Sequence, residues 1–259
     1  MPALPRRDRI AILTALGGVS ALAWVYLVVM AARMETMDSG GMALAAMLEV
    51  RPWAGVDFAL TFLMWAVMMI GMMVPTAMPM TLVYAAVARK AAGQGTPIAS
   101  TSAFVAGYVA IWTLFSVGAT AVQWALDQAA LLSPMMVTTS PVVGAALLIS
   151  AGVYQLTPYK DACLEHCRSP AYFISEHFRL GHGGAFRLGL LHGGFCLGCC
   201  WALMGLLFFG GVMSLLWIAA ITVFVLAEKL LPIGLAGGRA AGVGLLAAGF
   251  AVLLGLRFG

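Results

Sequence analysis

The sequence predicts an all-α protein, a polytopic transmembrane helix bundle of about seven spans with its N-terminus inside and its C-terminus outside. Three observations point there. Hydrophobic residues make up 63% of the 259-residue chain and charged residues only 9%, against about 25% charged in ordinary soluble domains. Mean hydropathy is +1.00. The apolar residues also fall into runs long enough to cross a bilayer, which takes about 20 residues at about 1.5 Å each. This composition excludes a water-soluble globular domain, a disordered chain, a secreted disulfide scaffold and a nucleic-acid module. Residues 1–259 read as a single integral-membrane domain.

The first predicted span covers 10–32, behind Arg6, Arg7 and Arg9. Its apolar run is too long for a signal peptide and no small-residue cleavage site precedes Arg33, so it reads as a retained anchor. The second covers 57–88 and contains Pro75 and Pro79; the third covers 98–124 and the fourth 141–156. The fifth, sixth and seventh cover 188–210, 212–231 and 239–257. Under this count, eleven of the fourteen basic residues fall on the side of the N-terminus, leaving Arg33, Arg51 and Arg257 opposite. Cytoplasmic loops are enriched in Lys and Arg, which sets the predicted direction. The formal net charge of +4 therefore reflects topology.

Two connections exceed simple turns. The outer loop, 33–56, is Met-rich (Met34, Met37, Met42, Met47) and net acidic. The inner loop, 157–187, is the most polar part of the chain and carries Cys163, His166, Cys167, His177 and His182.

All five cysteines and all four histidines lie between residues 163 and 200. His192, Cys196 and Cys199 stand at i, i+4 and i+7, within about 60° on one helix face. Cys200 sits at the edge of that stripe and Met204 extends it. Gly193, Gly194 and Gly198 remove side-chain bulk beside it, so neighbouring backbones can approach. Three sulfur donors and an imidazole suit Cu(I) or Zn(II), and soft sulfur sets favour Cu(I). A single buried cysteine is ordinarily packing; four such groups in one apolar span point to function.

The second span offers a matching stripe, Met64, Met68 and Met72, with Met68 expected at the depth of the thiols. Met68 and Met72 are the candidate thioether donors, although methionine is also a general gap filler. In the inner loop Cys163, His166 and Cys167 lie within about one helical turn, a second soft site if that segment is helical; the spacing is not that of a zinc finger. His177 and His182 read as solvated surface. Glu228 and Lys229 close the sixth span, ordinarily as an interfacial anchor and its counter-charge. The functional alternative turns Glu228 inward as an outer-sphere partner orienting His192 or His166.

The stretches MMIGMMVPTAMP, YQLTPYKDACLEHCRSP, LGLLHGGFCLGCCWALMGLLFFGGVMSLLW and AEKLLP resemble those of a bacterial family of predicted metal-binding integral membrane proteins, catalogued as a domain of unknown function. The resemblance spans roughly residues 57–232. It implies a multi-pass protein of the bacterial inner (cytoplasmic) membrane with a metal role carried by Cys163, Cys167, Cys196, Cys199 and Cys200. It also implies a small partner subunit, and it supplies no reaction.

The expected function is a soft-metal protein, copper first and zinc second, that relays, stores or delivers the ion to a partner such as a metallochaperone. Two readings compete with it. A membrane thiol-disulfide oxidoreductase would use the C-x-x-C pair Cys196 and Cys199. A subunit of a membrane copper enzyme would need more co-located histidines than the chain offers. Whether any reaction is catalysed stays open, and a purely structural subunit is disfavoured by the thiol cluster.

Overall fold

The computed structural model describes residues 4–39, 53–95, 101–133, 136–231 and 234–255. It is helical throughout: among the described residues the only β-type pairing is one isolated antiparallel bridge, Leu132 to Thr138. The long helices are α1 (Arg6–Ser39), α2 (Gly55–Gly93), α3 (Thr101–Gln128), α7 (Gly181–Gly205) and α10 (Gly234–Leu253). Between and beside them lie α4 (Pro141–Gln155), α5 (Pro158–Arg168), α6 (Pro170–His177), α8 (Leu207–Gly210) and α9 (Leu215–Leu230).

Local sequence explains many of the boundaries. Pro141 and Pro158 stand in first turns, where the missing amide costs nothing. Ser140 and Thr157 precede them as caps, their hydroxyls accepting from Val143 N and Lys160 N. Ser214 caps α9 in the same way at Trp217 N. The turn between α8 and α9 passes through Gly211 at φ 97°, a conformation glycine adopts without a side-chain clash.

Five helices are long and apolar enough to cross a membrane alone, and the α4–α5 pair, bent by 64°, makes six if counted as one broken span. The expected seven differs here for a plain reason. Helices occupy all seven predicted stretches, but α4 has 15 residues and α9 has 16, short of the bilayer thickness when straight.

Two loops also need correction. Much of the expected inner loop, 157–187, is helical, because Pro158, capped by Thr157, and Pro170 each open a new helix. The outer loop begins later than expected, since α1 continues to Ser39 and so includes Met34 and Met37. Met42 and Met47 lie outside the described residues.

Contacts along the helices fix their directions. Arg89 near the end of α2 pairs with Asp8 at the start of α1. Trp53, just before α2, donates to Asp127 near the end of α3 at 2.7 Å. Both pairs of neighbours are therefore antiparallel. Helices α3 and α7 run parallel, with Gly107 against Gly189 and Ile111 against Gly193. Helices α4 and α10 run antiparallel, with Gly152 against Gly242 and Ala145 against Gly249. One apolar core joins α2, α3, α7 and α9 around Met68, Met72, Cys196, Cys199 and Cys200. A smaller one groups Tyr84, Phe104, Phe173 and Leu188.

Candidate metal centre

Helix α7 carries Cys196, Cys199 and Cys200, all buried. In a helix, side chains lean toward the preceding turn. The thiols of Cys199 and Cys200 accordingly fold back and donate to the Cys196 carbonyl at 3.0 and 2.9 Å. This gathers three sulfurs into one turn of helix. Helix α5 adds Cys163 and Cys167, both half-buried and packed against the core that holds the three α7 thiols. Cys163 lies over Gly198, where an added Cβ would stand 2.8 Å from its Sγ. Five thiols from two helices thus share one core.

The surroundings of Cys196 are polar and come from three further helices. Lys229 of α9, only 7% exposed, donates to Cys196 Sγ at 2.8 Å and to Thr76 Oγ1 at 3.2 Å. Tyr108 of α3 places its hydroxyl 3.0 Å from the same sulfur. Both Tyr108 and Thr76 donate to the Met73 carbonyl, at 2.9 and 2.8 Å. That carbonyl lies two residues before Pro75, which itself can donate no backbone hydrogen bond. A buried ammonium needs a counter-charge, and among the described residues no carboxylate pairs with Lys229. Its neighbours are a sulfur and a hydroxyl.

The methionine stripe is present and fully enclosed: Met68 and Met72 are buried in the same core as the thiols. His192 is buried too, stacked between Phe104 and Tyr108 at ring-centroid distances of 5.9 and 5.4 Å. Its Nδ1 has no hydrogen-bond partner. His166 stacks flat on Phe195 at 4.2 Å and its Nδ1 contacts the Ala162 carbonyl at 2.8 Å. His177 stacks on Phe173 and faces the carbonyl of that residue, away from the thiols.

Glu228 is buried as the inward alternative required, but its partners differ from those expected. It pairs with Lys160 and accepts from Gln155 Nε2 at 3.2 Å. No hydrogen bond to His192 or His166 is formed, because the helix end aims Glu228 at α4 and α5. Its neighbour Lys229, expected as an interfacial anchor, is the residue that reaches the thiols.

Sequence reasoning missed Lys229, Tyr108 and Thr76. Lys229 had a signal, an ionisable residue at the end of an apolar helix. Tyr108 and Thr76 had none, since each resembles ordinary helix packing until the helices assemble.

Chemically the donor set is soft and sulfur-rich, which fits a monovalent copper cargo. As placed, all five cysteines are free, and the Cys199 and Cys200 thiols donate to the Cys196 carbonyl. Among the described residues no three His, Cys, Asp or Glu side chains stand in a metal-holding arrangement.

Neither the curated proteins nor the solved structures gave a match. The family described as PpoB2, copper chaperone, matches residues 62–252. That stretch contains all five cysteines, the methionine stripe, Tyr108 and the Glu228–Lys229 helix end, and the chain belongs to the PpoB2 copper-chaperone family.

Proposed function

We propose that this protein holds Cu(I) on the thiols of α5 and α7 inside a membrane and passes it to a copper-handling partner. One observation carries the reading: Cys163 and Cys167 on α5 pack against the core that holds Cys196, Cys199 and Cys200 on α7. Soft sulfur donors of this kind prefer Cu(I) over harder ions. Cys196 and Cys199 are the central ligands, with Cys200 and Cys167 beside them. Cys163 and His166 stand on the flank of α5 where an ion arrives or leaves. Met68 and Met72 line the buried side, and His192 supplies a free ring nitrogen at the edge.

In this reading all seven apolar helices cross the bacterial inner membrane, with α9 and the bent α4 making short crossings. The starts of α1, α3 and α7 and the ends of α2 and α9 lie on the cytoplasmic side. That side collects the basic residues, as the positive-inside rule requires. Lys229 offsets the negative charge that metal-binding thiolates bring into an apolar interior, where an uncompensated charge is costly.

Elemental analysis of anaerobically purified protein, with and without added copper, tests the proposal. Near-stoichiometric copper, with an absorption edge showing sulfur ligation, supports it. A protein without copper whose Cys196 and Cys199 form a quinone-reducible disulfide supports the oxidoreductase reading instead.

A further inference from the structure

Helix α9 ends in two adjacent side chains that grip two different thiol-bearing helices. Lys229 donates to Cys196 on α7. Glu228 pairs with Lys160 on α5, an ion pair in which the side chains are 1% and 4% exposed. Lys160 is also the first member of the stripe by which α5 packs inward, in which Lys160 and Leu164 are buried and Cys163 and Cys167 half-buried. Lys160, Cys163, Leu164 and Cys167 stand at i, i+3, i+4 and i+7, so they share one face. Leu164 in that stripe is buried as deeply as Lys160.

This matters because α5 has 11 residues, too few to hold itself in water or to fix its own rotation. It also follows a 64° bend, so α4 does not dictate its facing. A slip of one residue would rotate its thiols by about 100°. Apolar contact at Leu164 is non-directional and tolerates such a slip. A buried ion pair does not, because removing its partner strands a charge in the interior. Register-setting is the best-attested use of buried charged groups. The other polar ties of α5, Asp161 to the exposed Arg239 and the half-buried Arg168 to the Leu231 carbonyl, lie nearer the surface, and ion pairs open to solvent contribute little.

Helix α10 is shaped to leave the pair room. A Cβ at Gly238 would strike Glu228 Oε1 and stand 2.8 Å from Lys160 Nζ. Gln155 of α4 completes the enclosure by donating to Glu228 at 3.2 Å.

We propose that the Lys160–Glu228 pair is the positioning element that sets the register of α5 and so brings Cys167 against Cys196 and Cys199. Glu228 and Lys160 bind no ion themselves. They decide whether the copper site has thiols from one helix or from two. This inference rests on reading the thiol cluster as the copper site.

The test uses the full-length protein and two separate readouts. In copper-free protein, maleimide labelling of Cys167 is followed by mass spectrometry. Glu228→Gln and Gly238→Ala are expected to raise its labelling rate roughly tenfold, as local undocking exposes the thiol. Glu228→Asp, which keeps the charge, restores most of the protection. In copper-loaded protein, X-ray absorption is expected to show fewer sulfur ligands in Glu228→Gln than in the wild type. Should Glu228→Gln not fold, Gly238→Ala and the double variant Lys160→Met with Glu228→Leu, which strands no charge, give the answer. Unchanged Cys167 labelling in the folded variants overturns the positioning role. A wild-type protein that takes up no copper overturns the functional reading, while the labelling result still decides the register.

Discussion

Helix α7 meets its neighbours in two unlike ways. Toward α3 it presents glycines. A Cβ at Gly189 would run into the Phe104 carbonyl, one at Gly107 into the Phe186 carbonyl, and one at Gly193 would stand 2.9 Å from Ile111. At Gly107 and Gly189 two backbones lie directly on one another, the small-residue packing by which apolar helices associate. Around Cys196 the same helix presents sulfurs, which touch Lys229 of α9 and Tyr108 of α3 and pack against the α5 thiols. The glycine side has one fit. The thiol side makes its contacts through side chains that rotate between staggered positions. A helix held rigidly on one face can present an adaptable face to an ion without losing its position.

The largest expected effect comes from disturbing the rigid face. Gly189→Val should destabilise the protein by about 3 kcal/mol or more, because overpacking here meets backbone that cannot yield. Thermal unfolding in detergent measures it, and an unchanged transition would show that α3 and α7 are less tightly joined than their geometry requires. On the adaptable face the expectation reverses. Cys196→Ser and Cys199→Ser should leave the unfolding transition nearly in place yet weaken Cu(I) binding by roughly 100-fold or more, beyond the losses typical of outer-sphere residues. Competition with a Cu(I) chelator reads this directly.

Smaller effects sharpen the boundary of the site. Lys229→Met should weaken Cu(I) by roughly tenfold, the size of an outer-sphere loss, as measured in the same competition. Met68→Leu conserves volume and should cost less than about 1.5 kcal/mol, with only a few-fold change in copper affinity. A much larger change in copper affinity would make Met68 a principal ligand. His177→Ala, placed against Phe173 and away from the thiols, should retain copper at the wild-type level in elemental analysis.

Much of the fold was legible beforehand because apolar run length is a direct signal of helices in an apolar setting. Each of the seven stretches contains a helix. The lengths of α4 and α9 were less legible, since a composition window sees residues and not where a cap or a turn breaks them. The helical character of 158–168 and 170–177 was signalled by the Thr-Pro and Ser-Pro steps that open both segments, although their polarity suggested a loop. For the site, spacing alone put the α7 thiols on one face. It also allowed Cys163 and Cys167 to share a face if helical. The partners of Glu228 and Lys229 were illegible: adjacent residues on a helix end diverge by about 100°, and only the neighbours determine what each one meets.

By itself the sequence determined that the chain is helical and apolar, that its cysteines and histidines are confined to 163–200, and that those on α7 share a stripe. These are properties of composition and of period, which any single helix expresses alone. The tertiary structure decided that α5 folds back to bring Cys167 to the α7 thiols, that Lys229 and not a histidine partner faces Cys196, and that Glu228 serves α5. Those outcomes depend on packing angles, on glycine contacts between distant segments and on the pairing of buried charges, none of which is local to any stretch of the chain.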